Sequence, residues 1–377
     1  MALDLSQQEY IRLVQPELEE LIRNLCAIPA PSGSEEQRAE FCRNWFVENG
    51  FENVSVDAAC NVIAPLQVTA DNPLLVIMAH TDTVFPEREK LPFSEDEQFM
   101  YSPGVTDDTA NLAVMMIGAR YFKDHLPQLD HGVVFVANSC EEGLGNLKGC
   151  RKFMETFGHR VRQFISLDGL KPDRIVSRAV GSHRYCIKVA TEGGHSFADF
   201  GNRNAIAVLA SLTTLLYSVK VPQEGDSRTT YNVGTISGGT SVNTIAQDAQ
   251  MTFEYRSDSA VCLAKMQRLL ENAVETIRSS GVEVELDMIG NRPCSGDIDP
   301  DAFELLKKRV KSAVSETLGL MPFESASSTD CNIPLSMGIP SVCISCCRGA
   351  GAHTRSEKLE KASLADGCRL LLDILYR

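Results

Sequence analysis

Leu74-Leu-Val-Ile-Met-Ala-His-Thr-Asp-Thr83 organises the chain. Six apolar residues in succession read as a strand buried on both faces, the kind that builds the sheet of an α/β fold. The run stops at His80, Thr81 and Asp82. Side chains alternate along a strand, so His80 and Asp82 point the same way. A neutral imidazole holds a metal ion through one nitrogen while a carboxylate holds its other N–H, and Asp82 is placed to supply that carboxylate. A histidine at a strand end is equally well satisfied by backbone hydrogen bonds, so the pair gains meaning only from further ligands.

The chain supplies them. Val133–Asn138 runs into Ser-Cys-Glu141-Glu142-Gly143, and Phe164–Leu167 into Asp168-Gly169. Adjacent glutamates repel unless something cationic lies beside them, and ligands gather at the carboxyl ends of strands in an open α/β sheet. A further strand, 340–345, is followed by the glycine-rich run that ends in His353. Thr106-Asp107-Asp108 precedes an apolar helix, 112–122. One acid suffices to cap it, so Asp107 is assigned to a metal and Asp108 to the cap.

These residues make two histidines and four useful carboxylates. The set suits a pair of Zn²⁺-like ions with one bridging carboxylate. His80 and Asp168 go to one ion, Glu142 and His353 to the other, and Asp107 to the bridge. Glu141 is left off the metals, where a carboxylate can take a proton from activated water. Two such ions are hydrolytic machinery for an amide or peptide bond. The oxyanion of that reaction needs a donor, and His195, on a Gly-Gly turn, is the candidate.

The remaining pattern divides the chain. Residues 8–27 and 34–49 have helical periodicity, 54–65 a strand or hairpin, 301–318 and 357–375 helices, and 326–332 a polar loop. From 181 the order becomes β-α-β-β-α-β, a two-layer α+β domain inserted into the first. The expected borders are 1–180 with 293–377 for the metal-binding domain and 181–292 for the insertion.

Composition narrows the function classes. A formal charge of −14 gives no support to nucleic-acid binding or anionic membranes. No apolar run reaches the roughly 18 residues of a spanning helix. The N-terminus lacks a basic and apolar leader, so a cytoplasmic location is expected. Thirteen cysteines, scattered singly apart from Cys343, Cys346 and Cys347, point to buried reduced thiols rather than a disulfide scaffold.

Ala79-His-Thr-Asp82, Gly104-Val-Thr-Asp107-Asp108, Glu141-Glu142-Gly143, Leu167-Asp168, Gly193-Gly-His195-Ser and Gly351-Ala-His353-Thr resemble, in order, the motifs of a co-catalytic zinc metallopeptidase family. That family includes aminoacylase, glutamate carboxypeptidase and peptidase T. The resemblance spans about 20–375. It implies a zinc-exopeptidase-like mixed sheet flanked by helices, with the insertion as a lid. It implies two Zn²⁺ in the ligand arrangement given above, Glu141 as general base and Asp82 as the orienter of His80. It also implies a homodimer through the lid, with His195 and Asn243 reaching substrate at the partner's site. The implied substrate is a small peptide, as for a di- or tripeptidase, or an acylated amino acid, as for a deacylase or carboxypeptidase.

The departures concern substrate. Thr109-Ala-Asn follows the two acids where relatives often carry Lys and Gly. Ser327-Ser-Thr329-Asp330 stands where peptidase T has an arginine before Gly-Gly-Thr-Asp, leaving no cation there for a peptide carboxylate; Arg256, Arg348 and Arg355 are the substitutes. Other readings are a one-ion hydrolase, Mn²⁺ or Co²⁺ in place of zinc, and a non-catalytic binding protein on the same fold.

Overall fold

A computed structural model describes residues 5–377; the first four residues, which bear on the leader reading, lie outside them. The described chain forms two compact units. One runs up to Ala179 and resumes at Gly296–Arg377, and the other is Val180–Ser295. The second border falls three residues beyond the expected 293 because the segment after the last inserted strand stays with that unit's core, where Cys294 is buried.

The first unit holds an eight-stranded sheet in the order β1-β2-β6-β3-β7-β16-β8-β15. Its members are β1 (Ser55–Val56), β2 (Val62–Leu66), β3 (Leu74–His80), β6 (Gly132–Asn138), β7 (Val161–Leu167), β8 (Arg174–Ala179), β15 (Phe323–Ser327) and β16 (Ser341–Ile344). Two short pairs, β4 (Ser94–Glu95) with β5 (Phe99–Tyr101) and β17 (Gly349–Ala350) with β18 (Lys358–Glu360), join in a small separate sheet. β3 lies between β6 and β7 and is parallel to both. Every residue of β3 and of β6 is buried, as a central strand covered on both faces requires.

Alternation sorts these strands into two cores. Leu75, Ile77, Ala79, Phe135 and Ile165 pack with α1 (Leu5–Cys26), α2 (Glu36–Glu48), α3 (Asn111–Asp124), α7 (Pro300–Leu318) and α9 (Ser363–Tyr376). Leu74, Val76, Met78, Val136 and Phe164 pack on the other face with α4 (Lys148–Phe157) and α8 (Asn332–Ser336). The register pairs His80 with Asn138 and Ile344 with Leu167. The segments following β3, β6 and β7 therefore leave from one end of the sheet.

Three expectations are corrected. Ala326 and Ser327, read as loop, belong to β15, an edge strand pairing with β8. Its sequence is too polar and exposed to give an apolar strand signal. The last helix starts at Ser363 rather than 357, because Lys358–Glu360 pairs with Phe99–Tyr101 instead. The expected cap role of Asp108 fails as well, for a reason given with the site.

The second unit contains a four-stranded antiparallel sheet, β11-β13-β9-β14. The strands are β9 (Gly181–Ala190), β11 (Thr229–Gly238), β13 (Asp248–Ser257) and β14 (Glu283–Arg292), with α5 (Ala205–Tyr217) and α6 (Ala260–Arg278) forming the second layer. The small ladder β10 (Gly194–His195) with β12 (Thr244–Ile245) lies beside it in sequence. Among the described residues no helix is long and apolar enough to cross a membrane.

Candidate metal centre

His80 is 1% exposed at the end of β3. Its Nδ1 lies 3.0 Å from the Asp82 carbonyl oxygen and 3.4 Å from that residue's Oδ1. The carboxylate expected to hold this nitrogen thus shares it with its own backbone. With Nδ1–H spent on Asp82, Nε2 is the nitrogen left to face the cluster, and it lies 3.1 Å from Oδ1 of Asp107. Asp82 is fully buried and accepts from the Ser32 hydroxyl at 2.5 Å and from the backbone N–H groups of Glu141 and Glu142, each at 3.0 Å. One carboxylate therefore fixes the end of β3 and the turn that follows β6.

Asp107 stands on the turn Val105–Ala110, which enters α3. Asp108 is not its cap. It turns inward, fully buried, and accepts the backbone N–H of His80 at 2.9 Å and the Asn111 side chain at 2.8 Å. The helix begins only at Asn111, with no side-chain cap, so the acid spare from capping is tied to the histidine strand.

His353 brings Nε2 to 3.2 Å from Asp107 Oδ2 and 3.0 Å from Glu142 Oε1. Donor atoms fall into three groups that could hold an ion. His80, Asp107 and Asp168 form one, Asp107, Glu142 and His353 another, and His80, Glu141 and Glu142 the third. The first two share Asp107 and divide the other four expected ligands between them. Asp82 and Asp108 lie behind these groups. Imidazole and carboxylate are the ligand types of Zn²⁺, Mn²⁺ and Co²⁺ sites, so the residues present fit a pair of divalent cations.

The electrostatics point the same way. Burial pushes Glu142 up to about 7, with the Asp107 and Glu141 charges adding and the His353 hydrogen bond opposing. Burial likewise raises the Asp168 carboxyl well above its ordinary range, helped by Asp107 and Glu141. Hydrogen bonds that its ring donates to Asp107 and Glu142 carry His353 up to about 11, against the effect of burial. Burial alone would lower His80, but the Asp108, Asp107 and Asp82 carboxylates outweigh it and raise it. The cluster holds more buried anion than its imidazoles balance.

His195 and Asn243 stand on the second unit. The β10–β12 ladder pairs His195 with Thr244, and Ser196 N–H donates to the Asn243 carbonyl at 3.0 Å, so the two expected substrate residues are neighbours. His195 Nδ1 accepts the backbone N–H groups of Phe197 and Ala198 at 3.2 and 3.3 Å. That forces the ring proton onto exposed Nε2 and leaves it a donor.

Arg256, Arg348 and Arg355 are held by Glu254, by Glu360 with Asp366, and by Glu87. Sequence reasoning missed Ser32, Glu35 and Asp330. Glu35 accepts the backbone N–H groups of Gly33 and Cys140 at 2.8 and 3.0 Å, and buried Asp330 accepts from Asn138 at 2.7 Å. The only local signal for the first two was a Pro-Ser-Gly break followed by acids.

A model of peptidase family M20/M25/M40 matches residues 76–377. The Bacillus subtilis (strain 168) protein YqjE is 22% identical over 366 residues, covering 90% of this chain and 93% of that protein. The structure of aminopeptidase PepT from Bacillus cereus ATCC 10987 superposes with a TM-score of 0.74 at 23% identity, over 96% of this chain and 97% of that one. A tripeptidase from Staphylococcus aureus gives a TM-score of 0.77 at 22% identity over the same shares. With the family model covering well over half its length, the chain belongs to peptidase family M20/M25/M40.

Proposed function

We propose that this chain is a dinuclear zinc exopeptidase that hydrolyses an amide bond in small peptides, in the manner of a di- or tripeptidase. The observation that carries the reading is the pair of donor groups joined through Asp107. In it His80 and Asp168 would hold one cation and Glu142 and His353 the other, with Asp107 the ligand common to both sets. Cations bound there supply Lewis acidity toward a carbonyl and toward water. Glu141, 5% exposed beside this set, acts as general base and carries the proton to the leaving amine. Asp82 orients His80. His195 of one copy donates through Nε2 to the oxyanion at the site of a second copy, and Asn243 assists there in holding substrate.

The first unit is the catalytic domain in this reading, and Val180–Ser295, close to the expected 181–292, is the lid through which a homodimer forms. Similarity to PepT and to a tripeptidase over nearly the whole chain supports the peptide substrate. All thirteen cysteines are unpaired, which accords with a reducing, cytoplasmic setting.

The test is Glu141→Ala. The variant is expected to bind two metal ions and lose peptide turnover by about 10²–10⁴-fold. Unchanged turnover rejects the assignment. A panel of di- and tripeptides against acetyl- and succinyl-amino acids fixes the substrate class. Turnover confined to the acylated amino acids would make the enzyme a deacylase.

A further inference from the structure

Glu357 is a buried acid that the chemistry above leaves unused. It is 1% exposed, and its carboxylate collects three backbone N–H groups from a distant stretch of chain. Oε2 accepts Gly104 at 2.9 Å, and Oε1 accepts Thr106 at 2.8 Å and Asp107 at 2.9 Å. Three backbone N–H groups thus converge on a single buried carboxyl group. They fold the Gly104–Asp107 backbone around the carboxylate, and Gly104 takes φ +76° to allow it. The segment so gripped carries Asp107.

Glu357 also lies four residues after His353, on the loop between β17 and β18. That loop is closed on itself. Thr354 donates to the Gly351 carbonyl from its backbone N–H at 3.0 Å and from its hydroxyl at 2.6 Å. Ser102 N–H donates to the Glu357 carbonyl at 3.3 Å, and β18 continues the pairing along β5. Gly349, at the other foot of the loop, lies so close to the Asp107 turn that a Cβ there would meet Thr106 Oγ1 at 2.5 Å. One short loop thus presents His353 forward and Glu357 backward onto the turn bearing Asp107.

We propose that Glu357 is the positioning residue of the metal centre, locking the Asp107 turn to the His353 loop so that the shared carboxylate stands ready for both cations. The inference rests on the two-cation reading of the site. It makes a specific demand: because Asp107 belongs to both donor groups, loosening it weakens both ions, whereas loss of an ordinary ligand weakens one.

The test is Co²⁺ and Zn²⁺ titration of the full chain, comparing wild type, Glu357→Gln and Glu357→Ala, with the Co²⁺ visible spectrum recorded. Glu360→Gln, on the strand that follows this loop, serves as a control. The glutamine keeps an oxygen for Thr106 and Asp107 and loses the acceptor for Gly104, so affinity should fall in the order Glu, Gln, Ala. The expected loss is about 10–100-fold at both sites, with an altered Co²⁺ spectrum, while Glu360→Gln binds as wild type. Loss at one site only, or wild-type affinity in Glu357→Gln, overturns the proposal. If wild type itself binds fewer than two ions, the two-cation reading fails first.

Hydrogen exchange of wild type over residues 104–107 keeps the question open to refutation even if the variants do not fold. The proposal requires the Gly104, Thr106 and Asp107 amides to be protected before metal is added, and fast exchange there overturns it.

Discussion

The Ser32 hydroxyl and the Asp82 carboxylate are joined by a 2.5 Å hydrogen bond, which ties the loop after α1 to the end of β3. Asp82 passes that constraint on, since its two oxygens also receive the N–H groups of Glu141 and Glu142. In Asp82→Asn one oxygen becomes an NH₂ group that meets an N–H head-on, and His80 loses its anionic partner. Metal affinity should fall about 10–100-fold, with about 1–3 kcal/mol of stability lost to unsatisfied buried groups. Equilibrium dialysis giving the wild-type dissociation constant would show that Asp82 does not orient the site.

Arg38 carries a stability prediction. It is 3% exposed, yet its guanidinium serves backbone carbonyls: Thr81, Leu25 and Ile28, each at 2.8 Å. Those carbonyls belong to the end of α1, the loop after it, and the turn between His80 and Asp82. Arg38→Met keeps the bulk and strands all three acceptors away from water. At about 1–3 kcal/mol for a buried unsatisfied group, partly relieved by relaxation, the expected loss is about 3 kcal/mol. Urea denaturation of the metal-free protein measures it, and an unchanged midpoint would mean the carbonyls find other donors.

The parts legible in the sequence are those whose signal is local. β3 and β6 are uninterrupted apolar runs, and the acids and histidines that end them stand where any cation-binding sheet would put them. Paired acids at Asp107-Asp108 likewise announced that one was surplus to a cap. What stayed hidden depends on partners far along the chain. Glu357 acquires its role only through amides at 104–107, Ser32 only through Asp82, and Asp330 only through Asn138. Asp108 misled for the same reason, since a short acid before a helix looks like a cap until a distant strand takes its bond. β15 escaped because an edge strand need not be apolar.

Glu324 gives a pH prediction away from the metal centre. It bridges elements of the first unit, accepting from Ser177 on β8 at 2.7 Å and pairing with Lys307 and Lys311 of α7. Burial would raise its carboxyl, but the Lys311 and Ser177 hydrogen bonds prevail and hold it at about 2, below the usual 4.5. A folded-state value below the unfolded one gives stability that is full above about pH 4.5 and fades as pH falls toward 2. Glu324→Gln should therefore be less stable than wild type at neutral pH and match it near pH 2. A difference independent of pH across that window would assign the effect to packing instead.

Metal removal should act on one unit and not the other. Every donor group that could hold an ion lies in the first unit, and none lies within Val180–Ser295 among the described residues. Ligand that binds only the folded form stabilises it by about 2.7 kcal/mol at a hundredfold excess over its dissociation constant, and two ions add two such increments. Each unit has its own hydrophobic core, so scanning calorimetry can resolve separate transitions. After chelation, adding back Zn²⁺, Mn²⁺ or Co²⁺ should raise the first unit's transition in two steps and leave the other in place. The ranking of the three metals then reports which cation the imidazole and carboxylate set prefers. A shift confined to the second unit, or none with any of the three, would contradict the cation-binding assignment at its root.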